Sequence, residues 1–173
     1  MTGKRNIVLV GFMGTGKSCV GRKLAAALDM AFLDMDQLIE QRAGKPIPGI
    51  FAEDGEPAFR AMERALAQEL SARDGLVIAT GGGIVLNPDN IRDLAATGLV
   101  VCLWASPATI LARVGKETHR PLLAGGDKLR KIVRLLESRR RLYEAVPARV
   151  DTDGLPADDV ADRVLRLYQG PPA

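Results

Sequence analysis

Aromatic side chains make up only 4% of this 173-residue chain, with one tryptophan and two tyrosines. Proteins that read single-stranded nucleic acid stack its bases on aromatic rings. So sparse a set argues against that class, and no nucleic-acid partner is expected. Cysteine is equally scarce: Cys19 and Cys102 are too few for a disulfide framework, which points to a reducing compartment. No apolar run approaches the ~18 residues of a membrane span. The opening MTGKRNIVLVG has neither the long apolar stretch nor the cleavage site of a secretory signal. A cytoplasmic protein with no membrane partner is therefore expected. The charge excess is only +3, which suits a small anionic metabolite as well as any polymer.

What the chain does have is apolar content, 47% of its residues, enough for the core of one domain spanning 1–173. Short β-branched runs alternate with longer amphipathic segments. Strands are predicted at Asn6–Val10, Ala31–Asp34, Leu76–Ala79, Leu99–Trp104 and Ala148–Asp151. Helices are predicted near Lys17–Leu28, Met35–Arg42, Pro57–Ala72, Pro88–Ala95, Pro107–Gly115, Asp127–Tyr143 and Pro156–Tyr168. This alternation is the mark of an α/β domain with a parallel sheet, whose ligands bind beyond the carboxyl ends of the strands.

The unusual residues cluster at those ends. Behind the first strand, GFMGTGKS (Gly11–Ser18) matches G-x-x-x-x-G-K-[ST] in full, with a helix after it. Its glycines let backbone N–H groups turn inward around phosphate oxygens, and the helix adds the positive end of its dipole. Lys17 is expected to reach the β- and γ-phosphates, and the Ser18 hydroxyl to ligate Mg²⁺. The stretch therefore predicts a site for a nucleoside triphosphate. The guanine motif N-K-x-D is absent, and the third strand ends in VIATGGG with no carboxylate for a motor-type metal site. The available acids are Asp34 and Asp36 in FLDMDQLIE: one is placed to order the metal's water shell, the other to face an acceptor hydroxyl. Asp36, ahead of QLIE, is equally placed to cap a helix.

Arg60 falls off the apolar stripe Phe59, Met62, Leu66 and Leu70. It serves either an anion or the ion pairs offered by Glu56 and Glu63. On the later helix, Arg139 shares the packed side with Ile132 and Leu136, while Arg140 lies close to it. A guanidinium there needs an anionic partner, because an unpaired buried charge is very costly. The polar segment Gly115–Lys128 has the length and glycine flanks of a mobile lid, and carries Arg120 for a γ-phosphate. Gly81, Gly82 and Gly83 allow a ligand close to the backbone.

In this order, GFMGTGKS, FLDMD, IFAEDGEPAFRAME, TGGG, RPLL and SRRRLYE resemble the shikimate kinase family over roughly residues 7–156. The resemblance implies a three-layer α/β/α, nucleoside-monophosphate-kinase-like fold with a five-stranded parallel sheet. It also implies ATP-dependent phosphorylation of the shikimate 3-hydroxyl by a monomer. Position by position, it implies shikimate contacts at Asp36, Arg60, Gly81, Gly82, Gly83 and Arg139, with the Arg139–Arg141 register settled by counting back from Leu142 and Tyr143. It implies ATP contacts at Gly14, Thr15, Gly16, Lys17, Ser18, Cys19, Arg113, Arg120 and Pro156. Mg²⁺ falls to Ser18 and, through water, to Asp34; catalysis falls to Lys17, Asp36 and Arg120. Cys19 and Trp104 depart from the residues common in relatives without touching a catalytic position.

Overall fold

The structure, a computed structural model, describes residues 4–114 and 126–170. Its sheet contains β1 (Asn6–Val10), β2 (Ala31–Asp34), β3 (Leu76–Ala79), β4 (Gly98–Trp104) and β5 (Ala148–Asp151) in the order β2-β3-β1-β4-β5. Every pairing is parallel. β1 is central and fully buried, which is why NIVLV reads as a continuous apolar run rather than an alternation.

Side chains alternate between the two faces of each strand, and two apolar clusters follow. Ile7, Leu9, Val77, Val101 and Leu103 pack against α1 (Lys17–Leu28) and α8 (Ala157–Gln169). Val8, Val10, Ile78 and Cys102 face the other way. They meet α2 (Met35–Ala43), α3 (Ile47–Glu53), α4 (Glu56–Ser71), α5 (Pro88–Thr97), α6 (Pro107–Val114) and α7 (Lys128–Glu144). The expected three layers are present. Among the described residues no helix is long and apolar enough to cross a membrane.

Most predicted elements stand within a residue or two of their expected bounds. α3 was not predicted. It is seven residues long and follows Pro46 at the N-cap, with Pro48 in its first turn, where a missing N–H is harmless. The capping expectation for Asp36 is corrected. The strand runs straight into the helix, so Asp34 is the cap and accepts from Gln37 N at 3.3 Å. Asp36 lies inside the first turn, and its carboxylate is released from that duty.

Candidate active site

The P-loop turns between β1 and α1 with its last glycine, Gly16, at φ 93°, a left-handed conformation that a side chain would strain. Gly11 is held by space: a Cβ there would collide with the carbonyl of Leu103 on the neighbouring strand. The Lys17 ammonium donates to the carbonyls of Gly11 at 2.8 Å and Phe12 at 3.0 Å, so it sits within the loop's concavity. Thr15 is buried, its hydroxyl donating to the Phe12 carbonyl at 2.8 Å. Ser18 Oγ donates to Asp34 Oδ2 at 2.6 Å, which joins the start of α1 to the end of β2.

β3 sits between β1 and β2, so the turn that follows it lies between the P-loop and the Asp34–Asp36 segment. Each of its three glycines answers to a neighbour. A Cβ on Gly81 would stand 2.8 Å from Asp36 Oδ1 and 3.1 Å from Glu63 Oε1. One on Gly82 would stand 3.4 Å from the backbone nitrogen of Met13 in the P-loop. One on Gly83 would stand 2.6 Å from Arg60 Nη2. Bare backbone is what lets all these groups converge.

Arg60 forms the ion pairs that its neighbours offer. Its guanidinium pairs with Glu56 at 2.9 Å and Glu63 at 3.0 Å, yet still lines the cavity. The ion pairs aim the arginine. Glu63 is the less routine partner, because its side chain is only 3% exposed and its Oε1 has no hydrogen-bond partner among the described residues. Burial pushes its carboxyl above the ordinary carboxylate value, against the pull of Arg60.

Arg139 is 5% exposed on α7 and faces the same cavity. Among the described residues it forms no salt bridge, although its charge acts on Glu63 from a distance. One turn later Tyr143, fully buried, donates its hydroxyl to the Gly82 carbonyl at 2.6 Å. Burial pushes this phenol up to about 12, so it remains protonated.

These parts enclose one cavity of about 440 Å³. Lys17, Gly14, Gly16, Ser18, Cys19 and Asp34 line one end; Asp36, Arg60, Gly81, Gly82, Gly83 and Arg139 line the other. The triphosphate cradle and the two arginines therefore face each other across shared space. Thr15, Arg113 and Pro156 are not in its wall. Arg113 instead donates to the Gly14 carbonyl at 3.0 Å and to Thr152 at 3.2 Å, tying the P-loop to the segment after β5. That segment leads to Pro156, which caps α8. Arg120 and most of the expected lid, residues 115–125, lie outside the described residues.

Sequence reasoning missed three contributors. Glu63 was visible only as a helical ion-pair partner; its position on the Phe59–Leu66 side of α4 was the signal that it is buried. Phe51 arrives with the unpredicted α3 and packs on Phe59, ring centroids 5.1 Å apart, to form an apolar part of the cavity wall. Tyr143 falls on the Ile132–Leu136 side of its helix, but nothing in the spacing connects it to Gly82, sixty-one residues away.

The chain matches the family model described as shikimate kinase over residues 13–169. It is 44% identical over 165 residues to a shikimate kinase of Pelotomaculum thermopropionicum, covering 95% of this chain and 96% of that protein. A shikimate kinase of Desulforudis audaxviator is 51% identical over 148 residues, 86% of this chain and 78% of that one. Among solved structures, the shikimate kinase of Acinetobacter baumannii in complex with shikimate superposes with a TM-score of 0.92 at 40% identity, covering 96% of this chain and 93% of that one. A gluconokinase of Sinorhizobium meliloti 1021, at 20% identity and a TM-score of 0.61, shares the fold alone. The chain belongs to the shikimate kinase family.

Proposed function

We propose that this protein transfers the γ-phosphoryl group of ATP to the 3-hydroxyl of shikimate, giving shikimate 3-phosphate and ADP. One observation carries the reading: a buried guanidinium, Arg139, free of any salt bridge among the described residues, opens onto the cavity that also contains Lys17. Such a charge is stabilised by an anion from outside the protein. A carboxylate offers the two parallel acceptor oxygens that a guanidinium fork matches.

Arg60 and Arg139 grip the acceptor's carboxylate, with Gly81, Gly82 and Gly83 close to its ring. Asp36 accepts a hydrogen bond from the attacking hydroxyl. The new bond forms between that oxygen and the γ-phosphorus as the bond to the β,γ-bridging oxygen breaks; the hydroxyl proton leaves towards Asp36 or the product phosphate. Because the transition state is loose, positioning and charge neutralisation provide most of the acceleration, and Asp36 orients more than it deprotonates. Gly14, Thr15, Gly16 and Cys19 belong to the phosphate end. Arg113 and Pro156 flank the adenine, and Arg120, on the family resemblance, neutralises the transferring phosphoryl group.

The divalent ion expected in this family is assigned as Mg²⁺. The donor set fits: a serine hydroxyl and one carboxylate oxygen meet at 2.6 Å beside the P-loop. Magnesium favours few protein oxygens together with phosphates and retained water. Ser18 would bind it directly and Asp34 through water, and when bound it supplies positive charge to the phosphates. We further assign the active form as a cytoplasmic monomer.

The test is ADP release with and without shikimate, with gluconate and nucleoside monophosphates as rival acceptors. Shikimate-dependent release is expected. Release stimulated by gluconate or a nucleoside monophosphate, and not by shikimate, overturns the assignment.

A further inference from the structure

Tyr143 is the largest fully buried side chain among the described residues, and its hydroxyl is the one polar group of α7 that reaches the triple-glycine turn by a hydrogen bond among those residues. Its ring is fixed edge-on against Trp104, centroids 6.5 Å apart at 68°. Buried and packed in this way, the ring places its hydroxyl oxygen at the turn. It meets the Gly82 carbonyl at 2.6 Å, at the short end for an O–H···O bond.

Two neighbours give that bond its meaning. Arg139, four residues earlier, stands on the same face of α7, and its charge opposes the rise that burial imposes on the phenol. A carbonyl has only acceptors, so the bond runs one way: the Tyr143 hydroxyl donates to Gly82. On the other side, Gly82 packs on the Met13 nitrogen of the P-loop, Gly81 on Asp36 and Gly83 on Arg60. One carbonyl thus anchors a turn that lies against the P-loop, Asp36 and Arg60.

We propose that Tyr143 is a positioning residue for the phosphoryl transfer: by holding the Gly82 carbonyl it sets the triple-glycine turn, and with it Arg60 and Asp36, in register with Arg139. It touches neither substrate. The inference rests on the acceptor assignment made above for its kinetic consequence, but its structural core is independent of it.

Tyr143→Phe keeps the ring and its packing on Trp104 while deleting the hydrogen bond. In variant protein whose circular dichroism and cooperative melting match the parent, the KM for shikimate is expected to rise at least five-fold, with the KM for ATP within two-fold. Site-specific 3-fluorotyrosine at position 143, which retains the hydroxyl, is expected to restore the shikimate KM. Tyr168→Phe, which removes a phenol bonded to the Arg5 carbonyl far from the cavity, is expected to change neither. A folded Tyr143→Phe with an unchanged shikimate KM, or with both KM values raised together, overturns the proposal. Amide hydrogen exchange over residues 80–86 decides it without turnover. Tyr143→Phe should accelerate exchange there and not over β5, and equal rates in parent and variant would sink the claim. Should the parent release no ADP with shikimate, the acceptor assignment fails by itself, and the exchange measurement still decides the role of Tyr143.

Discussion

The Arg60 guanidinium lies against Gly83 so closely that a Cβ there would stand 2.6 Å from Nη2. The contact explains why a glycine follows two others when Gly83 itself has an ordinary negative φ of −91°. Gly83→Ala is therefore expected to displace Arg60 rather than to strain the turn. The KM for shikimate should rise on the order of ten-fold, equivalent to about 1.4 kcal/mol, with ATP binding intact. Calorimetric titration with each substrate checks this, and equal weakening of both would contradict it.

The two arginines should separate by burial. Arg60 keeps two carboxylate partners and partial exposure, whereas Arg139 is buried and forms no salt bridge among the described residues. Arg60→Ala is expected to weaken shikimate binding far more than ATP binding. Arg139→Ala should cost more still, on the order of 10²-fold in shikimate affinity, because charged hydrogen bonds are worth about 1.5–3 kcal/mol each. Arg139→Lys should rescue little of it, since an ammonium cannot make a two-pronged contact. Loss of both substrates to the same degree in a folded variant would remove these residues from the acceptor end.

Ser18 and Asp34 should share one phenotype. Ser18→Ala and Asp34→Asn are each expected to raise the magnesium concentration giving half-maximal ADP release, with the shikimate KM little changed. A magnesium titration of turnover at saturating ATP is the check. Unaltered magnesium dependence in both would refute the metal assignment.

Glu63 gives a pH signature. Its folded carboxyl titrates above the ordinary value of 4.5, chiefly because it is buried. Between that value and its raised folded value, the native state holds a proton that the unfolded chain has released. Stability therefore falls as pH rises through that window. Glu63→Gln, which cannot titrate, should show a shallower decline in melting temperature from pH 4.5 upward than the parent. Identical slopes would show that Glu63 ionises as easily in the fold as out of it.

The strands, the P-loop and the acidic pair were legible because each is a local pattern. A phosphate cradle needs eight consecutive residues, and a buried parallel strand announces itself as an unbroken apolar run. α3 was less legible, since prolines at 46 and 48 read as interruption unless they are known to stand at a helix start. The choice between a capping and a cavity-lining Asp36 turned on a single residue of helix phase, which periodicity does not resolve.

By itself, the sequence determined the layer architecture and the nucleotide end, where function is carried by backbone amides and adjacent side chains whose spacing is covalent. Tertiary structure alone decided the contacts that support the other end of the cavity. That Glu63 is buried, that Gly83 faces Arg60, and that Tyr143 reaches Gly82 depend on how α4 and α7 pack on the sheet. Side chains distant along the chain meet there through the free energy of a shared core, and no local spacing records which pairs will touch.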